Sequence, residues 1–129
     1  MEGQFTERKR WADGEELARQ ISAFANGQPP GGLVVVGAAP DGMISGVRDR
    51  IAAINASLGE LNSRVDSCGW AYKFVPVRDG SDELLFIFVP FSGQRVVMAG
   101  RKAFQRRGSS TVELRDAEIQ ELRYAKREI

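Results

Sequence analysis

Residues 84 to 89 read LLFIFV, an apolar run with no polar break. A strand with one face in water alternates apolar and polar residues, so an unbroken run of this length predicts a central strand covered on both sides. Its extension to LLFIFVPF at 84–91 is far too short to cross a bilayer as a helix. The N-terminus, MEGQFTERKR, is polar, and the default expectation is a soluble, cytoplasmic protein with no membrane partner.

The remaining elements arrange themselves around that strand. Phe5 to Arg10 can form a short strand with Phe5, Glu7 and Lys9 on one face. Asp13 is a plausible N-cap, Glu15 and Glu16 suit the positive first turn, and Leu17, Ile21, Phe24 and Ala25 recur at helical spacing, which predicts a helix over 13–26. LVVVG and MISGV, separated by a PDG turn, read as a hairpin. Val47, Ile51, Ile54, Leu58 and Leu61 form the apolar stripe of a second helix over 47–63. Trp70, Tyr72 and Phe74 alternate with smaller residues and are expected to pair with LLFIFV. Short strands around Arg95–Met98 and Ala103–Arg106 precede a last helix from about Arg115, with Ile119, Leu122 and Ala125 facing inward. This order predicts an α+β fold, a mixed β-sheet covered by about three helices. One domain over 1–129 is expected, and its end just after a helix also fits a domain of a longer protein.

The inventory of reactive side chains excludes several chemistries. With one cysteine, Cys68, and no histidine, the chain has no intramolecular disulfide, no Cys/His zinc site and no Ser-His-Asp triad. Any metal would have oxygen ligands. GGLVVVGAAPDG is glycine-rich, but Met43 and Ile44 follow Gly42 where a phosphate-binding loop would need Lys-Ser/Thr, so hairpin glycines explain it better. Glu2, Glu7 and Lys9 form an acidic group with one lysine, the residue types that hold a divalent cation and stabilise charge on a phosphate in metal-dependent nucleases. Spacing alone favours a solvated edge strand at this place.

Net charge is only +1, so binding to a polyanion needs local clustering. Arg95, Arg101, Lys102, Arg106 and Arg107 supply it, with no acidic residue between Phe91 and Val112. Gly108, Ser109, Ser110 and Thr111 could add backbone amides and hydroxyls that position a phosphate backbone without reading bases. A basic hairpin followed by a flexible turn fits the same residues, and residue types do not separate the two.

Four segments in order, EGQFTERK, ELARQISAFANG, GGLVVVGAAPDGMISGV and FQRRGSSTVELRDAEIQEL, resemble the Schlafen/AlbA-type DNA-binding domain over nearly the whole chain. The resemblance implies an α+β fold and a nucleic-acid partner, DNA or RNA. It places Arg106, Arg107 and the Gly108–Thr111 turn against phosphates, helped by Arg101 and Lys102. Some relatives are metal-dependent ribonucleases that cut structured RNA such as tRNA. Carried over, Glu2 and Glu7 match two acidic metal ligands and Lys9 the catalytic lysine, with Mg or Mn as cofactor only if the domain is a nuclease. The third acidic position falls at Ala39, with Asp41 nearby at a turn position, and Arg8 replaces the aromatic residue of the opening motif. Binding is therefore inferred ahead of cleavage. A homodimer and an interaction or oligomerisation domain of a larger regulator are the other expectations.

Overall fold

A computed structural model describes residues 3–127. Four strands form a mixed sheet: β1 (Thr6–Lys9), β2 (Gly31–Val36), β3 (Ala71–Val77) and β4 (Asp82–Pro90), in the spatial order β1-β2-β4-β3. β1 runs parallel to β2, and β4 pairs antiparallel with β2 and β3. A second sheet contains β5 (Met98–Ala99), β6 (Lys102–Arg107) and β7 (Ser110–Glu113) in that order. Three helices complete the α+β fold: α1 (Gly14–Ala25), α2 (Ile51–Arg64, preceded by a 3-10 turn at Arg48–Arg50) and α3 (Asp116–Ala125).

α1 begins where the sequence predicts, because the Asp13 carboxylate accepts the Glu16 backbone N–H at 2.9 Å. Its Leu17, Ile21 and Phe24 are at most 1% exposed and pack with Val34, Val36, Leu85, Ile87 and Val89 of the large sheet. Each such side chain contributes about 1.5–3 kcal/mol by burial. Helix and sheet approach so closely at one point that a Cβ on Gly32 would lie 2.0 Å from the Phe24 ring. Glycine is required there.

α1 also carries a polar seam that ties the two sheets together. The Ser22 hydroxyl donates to the Val97 carbonyl at 2.8 Å and accepts the Phe104 N–H at 3.0 Å. Asn26, fully buried, donates to the Val97 and Phe104 carbonyls, both at 2.9 Å, and accepts the Val97 N–H at 2.8 Å. Lys126 at the end of α3 donates to the same Asn26 oxygen at 3.1 Å.

Several predicted details change. LLFIFV is central in the sheet and covered along its whole length on one side only: Leu85, Ile87 and Val89 are at most 2% exposed, whereas on the other face Leu84 is buried with Val35 and Ala38 but Phe88 is 46% exposed. MISGV is no hairpin strand, because β1 and β4 already occupy both edges of β2, leaving only an isolated Ala38–Ile44 bridge past its end. The strands form two sheets rather than one, and Ser110 and Thr111 belong to β7 rather than to a flexible turn. At the C-terminus Ala125 is exposed and Lys126 takes the inward position, 8% exposed.

Candidate nucleic-acid interface

β1 lies in register with β2 as Glu7 opposite Val34 and Lys9 opposite Val36, so both charged side chains face the helix side of the sheet. There they meet Glu16 of α1. Lys9 Nζ lies 3.2 Å from Glu7 and 3.4 Å from Glu16. Burial works against the Lys9 charge, but the Glu7 hydrogen bond and the two carboxylates outweigh it and raise the lysine above its ordinary range.

Arg106 enters the same cluster from β6. Its side chain is only 2% exposed and contacts Glu7 Oε1 at 2.6 Å. It also donates to the Gly3 and Thr6 carbonyls at 2.7 and 3.1 Å and to the Thr111 hydroxyl at 3.1 Å, and its guanidinium lies 4.9 Å from the centre of the Phe24 ring. The Thr111 hydroxyl in turn donates to Gln20 at 2.8 Å. Arg106 therefore joins β6 and β7 to β1 from inside the protein, and its assignment as a surface phosphate contact is corrected: its two terminal nitrogens, Nη1 and Nη2, are spent on protein acceptors.

Above this network lies a cleft of about 430 Å³, bordered by Glu7, Lys9, Glu16, Gln20, Ser109 and Thr111. Of the two glutamates predicted as metal ligands, Glu2 lies outside the described residues. Both Glu7 oxygens face cations, Oε1 toward Arg106 and Oε2 toward Lys9. Ala39 is 9% exposed and offers no ligand, and Asp41 accepts the Met43 backbone N–H at 2.9 Å as an ordinary turn residue. Among the described residues no group of three or more His, Cys, Asp or Glu side chains could hold a metal ion.

The predicted basic segment is divided by strand alternation. Lys102, Phe104 and Arg106 share one face of β6, whereas Arg107 points the other way, toward α3. Arg107 pairs there with Glu118 at 3.0 Å. The backbone N–H of Arg115, with Arg107 and the Arg115 side chain, lowers the Glu118 carboxyl to about 2. Arg101, exposed in the turn between β5 and β6, has no ion-pair partner among the described residues, and Lys102 has only a 3.7 Å contact with exposed Glu113. Both border a second cleft, of about 370 Å³, together with Arg19 of α1 and Arg64 of α2. Arg19 and Phe104 border both clefts, so the two are adjacent.

Sequence reasoning missed Arg19, Gln20 and Arg64 as contributors, and it placed Glu16 only in the first turn of a helix. Helical spacing puts Glu16, Arg19 and Gln20 close together, but only the packing of α1 against β6 turns them toward Lys9 and Thr111. Ser109 and Ser110 remain exposed at the hairpin tip, where Gly108 adopts a φ of +59°.

The mixed sheet, the α1 packing and the β6–β7 hairpin define an α+β domain whose model match spans residues 2–115. The chain belongs to the family described as Schlafen, AlbA_2. No curated protein matches it. Among solved structures it is similar to the DIP2311 protein from Corynebacterium diphtheriae, with 20% identity and a TM-score of 0.65 over 95% of this chain. The chain spans 27% of that protein's length, and the likeness shows a shared fold. No helix among the described residues is long and apolar enough to cross a membrane.

Proposed function

We propose that this domain binds nucleic acid, DNA or RNA, by holding its phosphates along the cleft bordered by Arg19, Arg64, Arg101 and Lys102. The carrying observation is the convergence of these cations from α1, α2 and the β5–β6 turn on one open cleft. Arg19 pairs with Glu15 and Glu16, and Arg64 with Glu60, but such solvent-accessible pairs are weak and exchange readily for a phosphate. Arg101 is free to bind from the start. Ser109 at the adjoining cleft supplies a hydroxyl group where the backbone would continue. Membership of the Schlafen, AlbA_2 family supports the same reading.

Fluorescence anisotropy with a labelled oligonucleotide at several salt concentrations tests it. Changing Arg101 and Lys102 together to alanine is expected to weaken binding and to reduce the slope of log affinity against log salt by about 0.7–0.9 per lost contact. An unchanged affinity and slope would remove this cleft from consideration.

A further inference from the structure

Near the C-terminus of α2, strand β3 and the residue before it carry an aromatic ladder that the phosphate cleft does not use. Trp70, Tyr72 and Phe74 alternate along the chain and therefore share a face. The rings of Trp70 and Tyr72 stack with centroids 6.4 Å apart and planes 29° from parallel, and Phe74 meets Tyr72 edge-on at 6.0 Å. Trp70 and Phe74 are anchored against the main core, but Tyr72 is 50% exposed. A tyrosine held upright by two core-anchored neighbours is a rigid platform at low entropic cost.

The platform opens into a cleft of about 460 Å³ whose border includes Asn62, Ser67 and Cys68. The Asn62 amide and the Tyr72 hydroxyl have no hydrogen-bond partner among the described residues. An amide beside a ring face can both donate to and accept from the edge of a stacked base. Arg95 reaches the same border, donating to the Ser67 carbonyl at 2.9 Å, and brings a cation to it. Asp66, next to Ser67 in the chain, accepts the Met98 backbone N–H at 2.9 Å. The two clefts flank the end of α2: Asn62 borders this one, while Ser63 and Arg64, the next residues of the helix, border the other.

We infer that the Trp70–Tyr72 face stacks an unpaired nucleobase, so that the domain's preferred partner is single-stranded nucleic acid whose backbone passes around the end of α2 into the basic cleft. Stacking is sequence-tolerant and closed to duplex, whose bases are already stacked on one another. The inference rests on the proposed nucleic-acid function, and the test separates the two.

The probes are a labelled oligodeoxythymidine, an abasic phosphodiester strand of the same length and a duplex, each titrated at one fixed salt concentration with the full chain. The wild type is expected to bind the oligodeoxythymidine about tenfold more tightly than the abasic strand. Tyr72→Ala is expected to remove that preference while leaving abasic-strand and duplex affinity within about twofold, and Tyr72→Phe to retain it. Arg101→Ala should weaken all three probes. Equal affinity of the wild type for oligodeoxythymidine and abasic strand overturns the stacking site whatever the variants do, and leaves the phosphate cleft standing if Arg101→Ala still weakens both. A wild type that binds none of the probes overturns both readings.

Discussion

Arg106 and Arg101 stand five residues apart in one basic segment, and the structure gives them opposite roles. Arg106 is 2% exposed at its side chain, facing Glu7, the Gly3 and Thr6 carbonyls and the Phe24 ring. Arg101 projects from a turn with no ionic partner among the described residues. A buried cation must have its charge paired within the protein, because leaving it unpaired costs several kcal/mol. A cation in water keeps its donors for a ligand. Basic composition therefore measures the supply of charge, and burial decides how much of it a polyanion can reach.

That contrast is most directly broken at Arg106. Arg106→Ala would take the 2.6 Å ion pair from Glu7, itself 12% exposed, and remove a side-chain donor from the Gly3 and Thr6 carbonyls, so a loss of about 3–5 kcal/mol is expected in urea unfolding. A loss below about 1 kcal/mol would show that Arg106 is not a structural tie. Asn26→Ala tests the second buried polar link, since it leaves the Val97 N–H and the Phe104 carbonyl without their side-chain partner, while the Val97 carbonyl keeps Ser22. Destabilisation by about 2–3 kcal/mol is expected from the same measurement.

The exposed side of the comparison should respond in the opposite sense. Arg101→Ala is expected to shift stability by less than about 0.5 kcal/mol, so that its effect on nucleic-acid affinity can be read without a folding correction. A larger shift would place Arg101 among the structural cations. The smallest effect is a pH dependence on the far side of β6, where the Glu118 carboxyl is lowered to about 2 from 4.5. A depressed carboxyl stabilises the fold above its unfolded value and loses that contribution as pH falls through the folded one. The difference in melting temperature between wild type and Glu118→Gln should therefore be present at neutral pH and fade as pH falls from about 4.5 toward about 2. A difference that stays constant over that range would exclude the carboxylate as its source.

Helix α1 was legible almost residue by residue, because its cap, its acidic first turn and its apolar spacing are all local signals. The fold class was legible for the same reason. MISGV was not, since its failure to form a strand depends on both edges of β2 being taken by segments distant in sequence. LLFIFV reads as doubly covered because apolarity is visible in sequence, whereas the absence of a covering layer over Phe88 is not. Within the site, Glu7 and Lys9 could be placed on one face from alternation alone. Their partners Glu16 and Arg106 could not, because those contacts join β1 to an adjacent helix and to a strand near the other end of the chain.

The amino-acid sequence by itself determined the elements, the absence of histidine-based chemistry, the family-like order of motifs and the local excess of positive charge between residues 95 and 107. Tertiary structure alone decided which of those charges reach water. FQRRGSST contains two adjacent arginines, and strand alternation sends one into a buried ion pair and the other to Glu118 on α3. The reachable cations gather instead around Arg101, with help from α1 and α2. Alternation is a local property, but what stands on each side of a strand is set by packing between segments far apart in the chain.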